Sequence, residues 1–350
     1  MSLKKKVKLF GLQLCQGLGV IRLVRESAWR SRRLLILAYH GFSLDDEHLW
    51  NPELFLPPLE FETRLASIRR GGYRVLPLVE ALQCLYKDTL PEKSVVITID
   101  DGNFDFYAKG FRLLRDFEFP ATVYLTTFYC DYNRPLFNHI CSYMLWKRRG
   151  DVIPKTRLLV SLDELDLRTT GSRSGALRAI LRAAEEEHWS AEEKDDFAAK
   201  LADALSLRYE DYLFTRLLHR MNAAEVSEVA AAGIDVQLHT HRHRTPDDRE
   251  LFGEEIEENR LRIAKMTGRP ANHFCYPSGV VKPQFLPWLA GKGIVSATTC
   301  EPGYASVHSN PLLLPRVLDG SDVSRLEFEG WLSGLSSYIP RINRPVYATQ

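Results

Sequence analysis

The run Ser94-Val95-Val96-Ile97-Thr98-Ile99 shows no alternation of polar and apolar residues. A strand with one wet face alternates, so an unbroken β-branched run belongs to a strand covered on both faces, the mark of a parallel sheet flanked by helices. Asp100-Asp101-Gly102 follows at once, placing two carboxylates at the exit of that strand. Similar apolar runs recur along the chain, separated by helix-like segments. Leu34 to Tyr39 is one, ending at His40-Gly41. Others are Tyr73 to Leu76, Ala121 to Thr126, Ile234 to Leu238, Phe274 to Tyr276, Ile294 to Thr299 and Leu312 to Leu314. The intervening helices are predicted at 61–71, 79–86, 108–117, 223–232, 254–266 and 287–291. This alternation predicts an α/β fold of the parallel-barrel kind, whose sites lie at the carboxyl ends of the strands.

Two regions break the rhythm. From about Arg134 to Arg220 strand signals are few and Ala, Leu, Glu and Arg abound. Helices are predicted at 176–187 and 191–206, the second with Ser190 as N-cap and Glu193 closing a capping box. Gly171 to Gly175 reads as a linker. The predicted organisation is therefore an N-terminal segment 1–33, a barrel built from 34–133 and 221–335, a helical insertion 134–220 that forms a lid or groove wall, and a tail 336–350. Trp146, Trp189, Tyr209 and Tyr212 in the insertion are candidates for stacking on the rings of a ligand, with packing in its own core as the commoner role for such residues.

The N-terminal segment carries Lys4, Lys5, Lys6 and Lys8, an uncharged stretch from Leu9 to Ile21, then Arg22, Arg25, Arg30, Arg32 and Arg33. Gln13 and Gln16 interrupt the stretch, no small-x-small cleavage site follows, and it falls short of the ~20 residues that span a bilayer. Leu9, Gly11, Leu12, Leu14, Leu18 and Ile21 suit one helix face. That helix either packs on the barrel or lies on an anionic membrane; an uncleaved or atypical signal is the third reading. The 350 residues balance 46 Lys and Arg against 45 Asp and Glu, a net +1, so no nucleic-acid partner is expected. Six cysteines without a C-x-x-C pair favour a reducing compartment, so the expected location is cytoplasmic, with peripheral membrane contact through residues 4–33 if that helix is not packed on the barrel.

The second polar cluster is His239-Thr240-His241-Arg242-His243, again directly after a strand. His239 and His243 are four apart and fall on one side of a helical or tightly turned backbone, with His241 pointing elsewhere. Two imidazoles and one carboxylate suit Zn²⁺ or a similar divalent ion with an open position for water. The other carboxylate is then free to take a proton from that water, which describes metal-assisted hydrolysis.

These residues resemble the polysaccharide deacetylases, the NodB-homology or carbohydrate esterase 4 group. Thr98-Ile99-Asp100-Asp101-Gly102 is similar to that family's T-F-D-D-G motif, and His239-Thr240-x-x-His243 to its H-[S/T]-x-x-H motif. Phe274-Cys275-Tyr276-Pro277-Ser278-Gly279 resembles its F-x-Y-P-x-G motif. Ala38-Tyr39-His40-Gly41 and Leu314-Pro315-Arg316 are similar to the opening Y-H strand and late L-P-R of one branch. The resemblance implies a distorted (β/α)7 barrel interrupted by the helical insertion. It implies Asp101, His239 and His243 as metal ligands, with Zn, Co or Ni all suited, and Asp100 as the base acting on a metal-held water. Tyr276, Pro277 and Ser278 would meet the substrate, the Ser278 N–H holding the oxyanion.

Two departures from the family pattern remain. The usual C-terminal Leu-x-Leu-His, source of the general acid, is missing, and His308 fits poorly; His40 is the expected substitute. The usual arginine of the third motif is displaced, and Arg269 precedes Phe274 by too much; Arg316 is expected to pair with Asp100 and keep it ionised. The implied activity is removal of N-acetyl groups from an amino-sugar glycan or glycoconjugate. The alternatives are a carbohydrate-binding protein without activity and a hydrolase of O-acetyl esters or non-sugar amides.

Overall fold

A computed structural model describes residues 3–154, 158–159 and 164–338. Seven parallel strands form one curled sheet: β1 (Leu35–Tyr39), β2 (Ser94–Asp101), β3 (Thr122–Leu125), β4 (Asp235–Leu238), β5 (His273–Cys275), β6 (Ser296–Thr298) and β7 (Val317–Leu318). Their spatial order is β6-β5-β4-β3-β2-β1-β7, and a two-residue strand at Arg74–Val75 pairs with the start of β2. The remaining gap is spanned by the chain entering β7. Leu314 bridges Thr298 of β6, and Val317 pairs with Leu37 of β1. The result is a distorted (β/α)7 barrel.

All eight residues of β2 are buried, as its composition requires. Its buried hydroxyls are satisfied by carbonyls, Thr98 donating to Leu37 at 2.8 Å and Ser94 to Pro91 at 2.6 Å. The last strand differs from its predicted place at 312–314. Pro315 has no N–H to give a ladder, so Leu314 makes a single bridge and regular pairing begins at Val317.

The segment between β3 and β4 is largely helical, with helices Phe137–Lys147, Thr170–Glu186, Ala191–Ala204 and Tyr209–Thr215. It packs a core of its own around Ile140, Met144, Ile180, Phe197 and Leu201, separate from the main barrel core. Trp146, Trp189, Tyr209 and Tyr212 all belong to that core. The 171–175 stretch is not a linker but the first turn of a helix. Thr169 caps it, its side chain accepting from the Ser172 N–H while Ser172 accepts from the Thr169 N–H, and this reciprocal pairing outweighs the propensity of Gly171 and Gly175.

At the N-terminus three helices, Leu3–Gly17, Val20–Arg25 and Ala28–Ser31, pack at the strand-start end of the barrel. Arg30 is fully buried and donates to the carbonyls of Leu332 (3.0 Å), Arg33 (2.7 Å) and Ser94 (3.2 Å). The single apolar face expected for residues 9–21 is split. Leu12 is buried while Leu14 and Leu18 are exposed, because residues two apart lie some 200° apart around a helix. No helix among the described residues is long and apolar enough to cross a membrane. Most of the expected 336–350 tail lies outside the described residues.

Candidate active site

The exits of β1, β2, β4, β5 and the approach to β7 converge at one rim. Four non-glycine residues there have left-handed backbone: Asp101 (φ 74°), Thr240 (φ 61°), His243 (φ 56°) and Ser278 (φ 54°). Each costs about 1–3 kcal/mol and persists only where surrounding structure fixes it. Asn259 and Glu255, one turn apart on helix Arg249–Thr267, supply much of that fixing. Asn259 accepts from the His239 N–H and donates to the Leu125 carbonyl, both at 2.9 Å, tying the exits of β3 and β4 together. Glu255 accepts from the Arg242 backbone (2.7 Å) and the Arg244 side chain (2.6 Å), which shapes the histidine loop.

Asp101 Oδ1 lies 3.3 Å from His239 Nε2 and 3.2 Å from His243 Nε2. Ligand bonds of about 2.0–2.1 Å in a tetrahedral zinc site separate the donor atoms by about 3.3 Å, so these three side chains are spaced to hold one small divalent ion. The orientation of His239 agrees. Its Nδ1 donates to the Cys275 carbonyl at 2.8 Å, leaving the Nε2 lone pair aimed at Asp101. His241 turns away and bonds Thr127 Oγ1 at 2.9 Å.

Asp100 lies between two basic groups. Arg316 donates to both of its oxygens, at 2.7 and 2.8 Å, and to Thr98 Oγ1 at 3.1 Å and the Thr299 carbonyl at 3.0 Å. Both partners are buried. Burial alone raises the Asp100 carboxyl, but the Arg316 charge and its two hydrogen bonds outweigh it and hold the pKa down to about 2. His40 reaches the site from β1, with Nε2 3.6 Å from Asp100 Oδ2. Burial lowers the pKa of His40, against the opposing pull of Asp100 and Asp101, so the imidazole is neutral at pH 7.

The third motif divides. After Pro277 the chain turns through Ser278 in the left-handed region, with the N–H groups of Gly279 and Val280 given to the Tyr276 and Pro277 carbonyls and that of Ser278 not given to a backbone acceptor. Tyr276 and Pro277 are both buried, and the Tyr276 hydroxyl donates to the Leu312 carbonyl at 3.1 Å.

Two residues of the site were not foreseen. Arg220, at the end of the insertion, is buried with its guanidinium 3.3 Å from Asp101 Oδ2 and hydrogen bonded to Asn103. It holds the carboxylate so that the other oxygen faces the histidines. Burial raises the Asp101 carboxyl, and Arg220 with His243 more than reverses that. His139, on helix Phe137–Lys147, sits within electrostatic reach of Arg220, Asp101, His243 and His40; burial and then Arg220 push it down to about 4. Its ring edges onto Trp50. The sequence carried no signal for either, since 119 positions separate Asp101 from Arg220, and Arg220 and His139 both sit in the segment read as a helical insertion.

Known proteins of one description are similar to this chain. A family model described as polysaccharide deacetylase matches residues 204–295. A Bacillus subtilis (strain 168) protein named as a polysaccharide deacetylase, YxkH, is 34% identical over 104 residues, which is 28% of this chain and 35% of that protein. The poly-β-1,6-N-acetyl-D-glucosamine N-deacetylase of Escherichia coli K12, a hydrolase of carbon–nitrogen bonds, is 27% identical over 100 residues, 28% of this chain and 15% of that one. The chain thus spans about a third or less of the curated relatives it matches. Among solved structures, the Streptococcus pyogenes deacetylase PplD in complex with acetate superposes with a TM-score of 0.56 at 18% identity, covering 89% of this chain and all of the other. IcaB from Ammonifex degensii gives 0.53 at 17% identity, covering 87% and 98%. The family model and the B. subtilis relative carry the same description, polysaccharide deacetylase, and these are the proteins this chain is similar to.

Proposed function

We propose that this chain removes N-acetyl groups from an amino-sugar glycan, with a divalent metal ion held by Asp101, His239 and His243. The observation that carries the reading is the pairing of two carboxylates in opposite roles at one strand exit. Asp101 faces two imidazoles at ligand spacing, while Asp100 faces an arginine that keeps it charged. A Zn²⁺, Co²⁺ or Ni²⁺ ion bound to the triad supplies Lewis acidity, acidifying water and polarising an acetamide carbonyl. Asp100 takes the proton of the attacking water, and because its pKa is low it is ready to do so across the working pH range. The Ser278 N–H stabilises the developing oxyanion. His40 protonates the departing amine. Being neutral at rest, it first needs a proton, and Asp100 Oδ2, 3.6 Å away, is the neighbour placed to pass on the one taken from water.

The E. coli relative's substrate supports poly-N-acetylglucosamine as the first polymer to test. We place the reaction in a reducing, cytoplasmic compartment on the support of six free cysteines. The experiment is acetate release from acetylated amino-sugar oligomers by metal-loaded protein. Release abolished by Asp100→Asn with metal retained supports the proposal. Bound metal without turnover on any acetylated glycan points instead to a binding protein, and release only from esters or non-sugar amides to a different hydrolase.

A further inference from the structure

Nine of the first 33 residues are Lys or Arg and one is Glu, a net +8 within a chain of net +1 that leaves −7 on the remainder. The structure adds an apolar surface to that charge. Helix Leu3–Gly17 is fastened to helix Arg325–Ser333 by Leu12, which is fully buried against Gly330, where a Cβ would come 3.1 Å from the leucine Cδ2. With Leu12 facing inward, Phe10 and Leu14 face outward, 68% and 55% exposed, and beyond the end of that helix Leu18 and Leu23 are exposed too, at 69% and 72%. Four large exposed apolar side chains within fourteen residues, in a segment whose sequence carries net +8, exceed the scatter of single leucines normal on a soluble surface.

We propose that this face docks on the surface of an anionic lipid bilayer, with the catalytic rim turned away from the membrane. An exposed apolar stripe among lysines and arginines is the chemistry that sinks into the headgroup boundary of a negatively charged leaflet. The orientation follows from Arg30. The same N-terminal segment is bonded to the Ser94 carbonyl at the start of β2, whereas Asp101 ends that strand seven residues later. At ~3.3 Å per residue the two ends are about 23 Å apart. The rim then faces outward to a glycan chain rather than to sugars attached directly to a membrane lipid.

The test is co-sedimentation of the full chain with vesicles of phosphatidylcholine containing phosphatidylglycerol, beside pure phosphatidylcholine. Binding to the anionic vesicles is expected, weakened by high salt and absent with neutral lipid. A triple variant Phe10→Ser, Leu14→Ser and Leu18→Ser should bind at least tenfold more weakly with an unchanged melting temperature. Equal binding by the triple variant, or no binding by the native chain, overturns the docking surface. A dimer in sedimentation velocity that the triple variant abolishes also overturns it, in favour of a second copy as occupant. Orientation is read separately by spin-labelled lipid, in a background with Cys15, Cys84 and Cys300 changed to Ser. A fluorophore on Leu18→Cys should be quenched, and one on Val281→Cys, three residues beyond Ser278, should not. Quenching at both positions refutes the outward-facing rim.

Discussion

Replacing Arg316 by methionine removes a guanidinium that touches Asp100 twice, Thr98 once and the Thr299 carbonyl once, and leaves Asp100 buried without its cation. Breaking a buried pair from one side costs about 3–5 kcal/mol. The pKa consequence has a definite sign. In the native site Asp100 is held at about 2, below its usual 3.8. A carboxyl depressed on folding contributes stability that is present above the unfolded pKa and is lost as pH falls through the folded one. Here that is about 2 kcal/mol, lost between about pH 4 and pH 2. In Arg316→Met burial is opposed by His40 and His239 without the arginine, so Asp100 rises from about 2 and this acid-side contribution shrinks. The acid limb of the rate against pH moves up for the same reason. The assays are urea denaturation and acetate release, each followed from about pH 2 to pH 8. Arg316→Lys, which keeps the charge but loses the two-pronged geometry, should fall between the native chain and Arg316→Met. An unmoved acid limb in Arg316→Met would refute the role given to this arginine. So would additive destabilisation with Asp100→Asn, since two directly paired groups must couple.

His40→Gln should lower kcat by about 10²–10⁴ with metal content unchanged, the usual size of a lost general acid; normal turnover in that variant would remove His40 from the mechanism. His139→Ala should raise KM about tenfold while kcat changes little, as expected if its unbonded ring contributes a single neutral hydrogen bond to the glycan. A pure kcat loss would place it in the chemistry instead. Ser278→Gly should keep activity within about twofold and not lower the melting temperature. Only the backbone N–H is used, and glycine adopts φ 54° without cost. A large rate loss would show that the Ser278 hydroxyl takes part.

The parts of the fold that were legible in the sequence are those where one local rule dominates. β2 was readable because eight consecutive buried residues leave no ambiguity of face, and helix Ala191–Ala204 because Ser190 and Glu193 form their capping box. Asp100, Asp101, His239 and His243 were visible as polar clusters directly after apolar runs. Gly171–Gly175 misled because glycine propensity is weaker than a satisfied cap. Arg220, His139, Asn259 and Glu255 were not legible, since each acts through a contact made across more than ten residues of chain and resembles an ordinary helical residue in sequence.

Metal content of the purified protein tests the central claim most directly. Elemental analysis of the native chain, loaded and then dialysed, should find one divalent ion per chain, and His239→Ala or His243→Ala, still folded by circular dichroism, should hold none. No stoichiometric ion in the native chain, or a full equivalent in either variant, would contradict a site built from these three side chains.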